Sequence, residues 1–351
     1  MSTAAQPSLA PWAPGPPVRH VCMVLLTGLG DVIHGLPLAN AIRRAWPDSR
    51  LTWVVEPMPA GVLAPHPAID RVLVYHKQQG WRGVAGLGRA LRREPCDLTL
   101  NLNIYFKSIW PTLLSRAPVR VGFDRGRSRD GTWLAANRHL PPRARAHTQD
   151  MLLEFLALLG IPAEPLEWRL QVTAEERAAQ QALLESVGGP YVALVAASGN
   201  PRKDWPAERM ARVADALAMD FGRRTVLIGG PGARETAAAR AIQGAAAHRP
   251  HWGLGDGVRR LIWQLEAAEL LIAPDTGPVH IARALERPVI GLYGHTNPWR
   301  VGPYRKYQDL WVDAYTDGPP DPSNFAPKLG RMERITVDDV LARVDRALGG
   351  G

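Results

Sequence analysis

Lysine is scarce in this sequence. Lys77, Lys107, Lys203, Lys306 and Lys328 stand against 37 arginines in 351 residues, and the formal net charge is +9. Cysteine is scarcer still, with only Cys22 and Cys96. Two thiols exclude a disulfide framework and a cysteine-based zinc site. Both lie in or beside apolar runs, which predicts buried thiols. No run of 18 apolar residues occurs, so no membrane-spanning segment is expected. Residues 1–17 hold five prolines, no basic residue and no apolar core, and read as a disordered tail rather than a signal peptide. The remainder, with 46% hydrophobic and 21% charged residues overall, has a globular composition and the length of two domains. Arginine forks grip carboxylate and phosphate, so the basic excess points to anionic partners; a solvated basic surface is the other reading.

Short apolar runs alternate with helical patterns, and the alternation occurs twice. Strands are predicted over 21–26, 51–55, 72–75, 97–102 and 119–123, then over 191–196, 225–228, 270–273 and 289–293. Helices are predicted between them, including a basic amphipathic one over 83–93 and a closing one over 337–348. Residues 120–145 read as an irregular basic stretch. The segment 161–173 reads as a linker, and Thr173 with Glu176 has the spacing of a capping box. Strand–helix alternation of this kind predicts α/β domains with parallel sheets. The expected division is a tail 1–17, a first domain 18–170, a second domain 171–334 and a terminal helical segment 335–351. Such sheets bind ligands outside the carboxyl ends of their strands, so the turns after strands are the places to search.

Gly28-Leu29-Gly30-Asp31 follows the first strand and enters a helix. It lacks the third glycine of a dinucleotide fingerprint. Asp31 is either a helix-end carboxylate favoured by the dipole or a general base. Ser198 through Lys203 follows the first strand of the second half and resembles an anion cradle, with Lys203 as a point charge; a solvated loop lysine is the alternative. Asp275-Thr276-Gly277-Pro278-Val279-His280 opens another helix, whose positive end suits phosphate. His280 is equally readable as a buried structural histidine, and Asp275 as a cap. Glu235, behind the turn 229–232, could accept ribose hydroxyls or simply face solvent. Arg120, Arg125, Arg127, Arg129 and His147 form a basic region suited to an anionic substrate. No nucleic-acid motif accompanies it, so nucleic acid is not expected as a partner.

Taken together, these turns resemble glycosyltransferase family 9, the ADP-heptose:lipopolysaccharide heptosyltransferases. The resemblance is carried by Gly30-Asp31-Val32-Ile33-His34-Gly35-Leu36-Pro37 with Trp53-Val54-Val55-Glu56, by Lys203-Asp204-Trp205-Pro206, by Asp275-Thr276-Gly277-Pro278-Val279-His280, and by Tyr293-Gly294 with Val301-Gly302-Pro303-Tyr304. It implies a GT-B fold, two Rossmann-like doubly wound domains facing across a cleft. The first would bind acceptor and the second the nucleotide sugar, with the terminal helix crossing back to the first. It implies an inverting glycosyltransferase with ADP-heptose as donor and an anionic glycolipid of the Kdo-lipid A type as acceptor. No obligatory cofactor or metal is implied. It also implies a cytoplasmic protein, peripheral on the inner membrane. Asp31 falls where the family places its general base. Lys203, Asp275, Thr276, Gly277 and His280 fall at the donor, with Ser198 and, less securely, Glu235. Gly30, Arg120, Arg125, Arg127, Arg129 and His147 are assigned to the acceptor. Asn101, Asn103 and His295 depart from the family pattern.

Overall fold

The computed structural model describes residues 18–26 and 28–349; the expected tail 1–17 and Thr27 lie outside the described residues. Two parallel sheets of six strands organise the chain. The first contains β1 (His20–Val24), β2 (Arg50–Val55), β3 (Arg71–Val74), β4 (Leu98–Asn101), β5 (Val119–Gly122) and β6 (Arg138–His139), in spatial order β3-β2-β1-β4-β5-β6. The second contains β7 (Tyr191–Val195), β8 (Arg224–Ile228), β9 (His251–Trp252), β10 (Ala268–Pro274), β11 (Val289–Tyr293) and β12 (Val312–Asp313), in order β12-β11-β10-β7-β8-β9. Counted from its own first strand, each sheet has the same order. It is the order of the doubly wound nucleotide-binding fold, whose crevice opens where the winding reverses. That switch point lies between β1 and β4 in one sheet and between β7 and β10 in the other.

The sequence builds these strands for a physical reason. A parallel sheet covered on both faces needs apolar residues at successive positions, not alternate ones. His20–Val24, Tyr191–Val195 and Val289–Tyr293 are buried at every residue. The helix Leu29–Ala45 is buried continuously from Val32 to Ile42 and packs against the helix Thr148–Leu158. Cys22 and Cys96 are buried free thiols, as their apolar surroundings predict.

Tertiary contacts divide the chain into two compact units, with the boundary between Arg169 and Leu170. The second unit opens on the helix Ala174–Val187. There Thr173 Oγ1 accepts from the Glu176 N–H at 3.2 Å, and Glu176 Oε2 accepts from the Thr173 N–H at 2.9 Å. Each side chain thus accepts the other residue's otherwise unpaired N–H, which is the capping box expected from the spacing. The closing helix Val337–Leu348, expected to cross back to the first half, buries Val337, Val340 and Val344 in the core of the second unit. Trp205 fixes its approach by donating Nε1–H to the Ile335 carbonyl at 3.1 Å.

Candidate active site

The loop after β1 turns at Gly28, whose φ of 77° favours glycine, and the helix Leu29–Ala45 begins there. Asp31 is the third residue of that helix and is half-buried. Its carboxylate folds back over Gly28 so closely that a Cβ on Gly28 would collide with Oδ2. Gly28 is therefore required twice, for its backbone angle and for the carboxylate above it. Gly30 lies in the same first turn, half-buried. One turn further, His34 Nδ1 lies 2.9 Å from Gln149 Oε1, and Gln149 Nε2 donates to the His34 carbonyl at 2.8 Å. His147 stands edge-on to His34, with ring centroids 5.6 Å apart. Its Nδ1 accepts the Gln149 N–H at 3.0 Å, so this histidine caps the helix Thr148–Leu158 and is buried.

Glu56 leaves β2 with its carboxylate buried and meets two ammonium groups, Lys77 at 2.9 Å and Lys107 at 3.5 Å. Burial holds Lys107 below the usual lysine range, although the charges of Glu56 and Asp31 pull the other way. The cluster draws on the ends of β2, β3 and β4, so neither lysine carries a local motif. Scarcity is the signal that could have found them. Of five lysines, Lys77, Lys107 and Lys203 each follow a strand.

Asn101 and Asn103 close the switch point of the first sheet. Asn103 Nδ2 donates to the Val24 carbonyl at 2.8 Å, and Asn101 Oδ1 accepts the Asn103 N–H at 3.2 Å. These two asparagines tie the exit of β4 to that of β1.

The basic residues assigned to the acceptor separate into different settings. Arg125 and Arg129 are exposed, stacked over Trp133 and Tyr105 at 5.4 and 5.8 Å. Arg120 turns inward and donates to the carbonyls of Ala135 at 2.9 Å and Ala117 at 2.8 Å. Arg127 is buried, and this corrects its expected place on a ligand-facing surface. Its Nε reaches Asp124 at 2.5 Å, Nη1 reaches Glu154 at 2.7 Å and Nη2 reaches the Pro141 carbonyl at 3.0 Å. Removing one member of a buried ion cluster leaves charge uncompensated. Arg127→Ala is expected to cost about 3 kcal/mol of stability, read as a lowered thermal midpoint. An unchanged midpoint would show that the cluster is dispensable.

In the second sheet, Lys203 ends a short turn after β7 and reaches Asp275 at the end of β10, with Nζ 2.6 Å from Oδ2. Thr296 Oγ1 donates to the same carboxylate oxygen at 2.8 Å. Burial pushes the Asp275 carboxyl up. The charge and hydrogen bond of Lys203, with His280 and Thr296, outweigh that and hold it below the usual carboxylate range. Asp275 is thus an anchored anion that aims Lys203 across the switch point, not a helix cap. Thr276 is the residue before the helix Gly277–Ala284. Pro278 has no N–H, and the Val279 N–H is taken by the Thr276 carbonyl at 3.1 Å, so Gly277 leads the positive end of that helix. His280 is buried within the first turn.

Ser198 is buried, with its hydroxyl 2.7 Å from the Asn200 carbonyl and 2.9 Å from Asp204 Oδ1. It shapes the loop carrying Lys203. Glu235 repeats the geometry of Asp31: third residue of a helix after a glycine turn, its carboxylate folded over Gly232. That shared geometry satisfies a helix start in both places. Position and neighbours distinguish the two acids. Glu235 follows β8, away from its switch point, whereas Asp31 follows β1 and feels Lys107. His295 clamps the Pro-rich segment, with Nδ1 3.0 Å from the Lys328 carbonyl.

Comparison with known proteins supplies the lineage. The profile of glycosyltransferase family 9 (heptosyltransferase) matches residues 84–319. The chain belongs to glycosyltransferase family 9. Family 9 relatives include the lipopolysaccharide core heptosyltransferase OpsX of Haemophilus influenzae, 27% identical over 339 residues that cover 93% of this chain and 96% of OpsX. Lipopolysaccharide heptosyltransferase 1 of Escherichia coli is 28% identical over 303 residues, 82% of this chain and 92% of that protein. A family 9 glycosyl transferase from Veillonella parvula superposes with a TM-score of 0.81 at 24% identity, covering 97% of this chain and all of that one. The chain is accordingly a glycosyltransferase of the lipopolysaccharide core heptosyltransferase family, with the GT-B fold its sequence led us to expect.

Proposed function

We propose that the protein transfers a heptosyl group from ADP-heptose to a hydroxyl of an acidic inner-core acceptor, with inversion. Asp31 takes the proton of the acceptor hydroxyl as its oxygen attacks the anomeric carbon. The bond from that carbon to the phosphate oxygen breaks, and ADP leaves with the electron pair. Lys203 and the helix start at Thr276-Gly277 stabilise the charge growing on the leaving phosphate. Arg125, Arg129, Lys77 and Lys107 are offered to the carboxylates and phosphates of the acceptor. Gly30 is assigned to the acceptor and Glu235 to the ribose. No metal enters this scheme.

One observation supports the reading above the others. The loop holding Asp31 and the loops holding Lys203 and Thr276-Gly277 leave their sheets beside the switch points, where this fold binds ligands. The E. coli heptosyltransferase WaaC, whose structure holds ADP, has the same fold at a TM-score of 0.71 and 23% identity. A lipid-borne acceptor would bring the protein to the cytoplasmic face of a membrane. Among the described residues, no helix is long and apolar enough to cross one.

A donor screen tests the proposal. ADP- and UDP-sugars are offered with Kdo-lipid A, in the presence of a chelator, and products are weighed by mass spectrometry. The expected result is a gain of one heptosyl unit from ADP-heptose alone. Transfer from a UDP-sugar instead, or activity restored only by a divalent ion, would overturn it.

A further inference from the structure

The basic amphipathic helix Trp81–Arg92 takes no part in the chemistry above. It packs Gly83, Leu87, Gly88 and Leu91 inward. Its outward stripe carries Trp81, Arg82, Arg89 and Arg92, continued by Arg93, all exposed. Among the described residues none of these four arginines pairs with a carboxylate. Residues 71–93 and 98–123 contain no Asp or Glu, and Glu94, next to Arg93, pairs instead with Arg50 and Arg71.

Large apolar side chains lie exposed beside this stripe. Trp81 is 72% exposed and meets Trp110 of the neighbouring helix Ile109–Leu114 edge-on, with centroids 5.3 Å apart. Leu113 on that helix is exposed, as are Tyr105 and Phe106 just before it, Phe106 at 54%. Trp81, Tyr105 and Phe106 follow β3 and β4, so the patch borders the edge of the sheet from which Asp31 projects. Soluble surfaces rarely leave aromatics in such company without a use for them.

We infer that this face docks on an anionic lipid bilayer. Tryptophan and tyrosine settle at the headgroup level, where an apolar ring and a polar atom are both accommodated. Arginines beside them meet the negative surface of the leaflet. A second copy of this chain is a poor occupant, because a two-fold contact would set the unpaired arginines against one another. The purpose of docking rests on the proposed glycolipid acceptor, but the contact itself needs neither donor nor acceptor.

Sedimentation with sucrose-loaded vesicles tests it, using the full chain without substrates. Vesicles of phosphatidylcholine with phosphatidylglycerol should carry the protein down, and pure phosphatidylcholine vesicles should not. Arg89→Ala should weaken the partition about fivefold, the worth of one basic residue near such a surface. Trp81→Glu should lower it at least tenfold while circular dichroism and ADP binding stay as in the parent. Equal binding to both vesicle types, no binding to either, or an unaltered Trp81→Glu partition would refute the inference. Self-association abolished by Trp81→Glu without vesicle binding would assign the face to a dimer and refute it too. Docking with a failed donor screen would leave this surface standing and remove the reaction; transfer without docking would do the reverse.

Discussion

Asp31→Asn is expected to lower kcat about 10³-fold while leaving ADP affinity unchanged. General bases contribute roughly 10²–10⁴-fold, and asparagine keeps the shape and the oxygen over Gly28 while losing the ability to take a proton. The rival role for Asp31 is as a helix-end carboxylate. That role predicts the opposite pattern: a stability loss of about 1 kcal/mol with activity retained. Steady-state transfer, ADP titration and a thermal melt on one variant separate the two. Loss of ADP binding would sink the base role, because the donor is assigned to the other unit.

Lys203→Ala is expected to lower kcat/KM by roughly 10²–10³-fold and to weaken ADP binding, the effect of losing one charged stabiliser of the leaving group. It also strips Asp275 of its partner. The ammonium is partly exposed at 24%, which screens the pair, so a cost of about 2 kcal/mol is expected rather than the full range for a buried pair. Adding Asp275→Asn removes the stranded charge. The double variant should regain stability and stay inactive, a non-additivity that a double-mutant cycle measures. If the double variant regains turnover, Lys203 serves the fold and not the phosphates. Arginine is expected to substitute poorly, since a planar fork does not fit where a point charge sits against Asp275 and Thr296.

The central strands were legible because burial on both faces writes itself as an unbroken apolar run. Val289–Tyr293 and the closing helix Val337–Leu348 coincide with expectation residue for residue. The edge strands β6, β9 and β12 were not legible, because each is two residues long and leaves no pattern. The helix Pro57–Leu63 was missed for its prolines, although one at the first helical position is pre-set for a helix start. At the site, the motif loops could be read because each is local to one turn. The Glu56–Lys77–Lys107 cluster could not, because three strands assemble it. Arg127 and His147 looked like parts of a basic surface, yet tertiary packing buries both. A charge pattern in sequence does not say which arginines meet carboxylates within their own domain.

The scarcity of lysine has a practical consequence. Lysine amines can be methylated with isotope-enriched formaldehyde, and this chain offers only five. Lys203 lies at the proposed donor site, Lys77 and Lys107 pair with Glu56 at the ends of the first sheet's strands, and Lys306 pairs with Glu286 on an exposed surface. A handful of resolved methyl signals would therefore report on each half of the reaction separately, with the exposed Lys306 as a built-in reference.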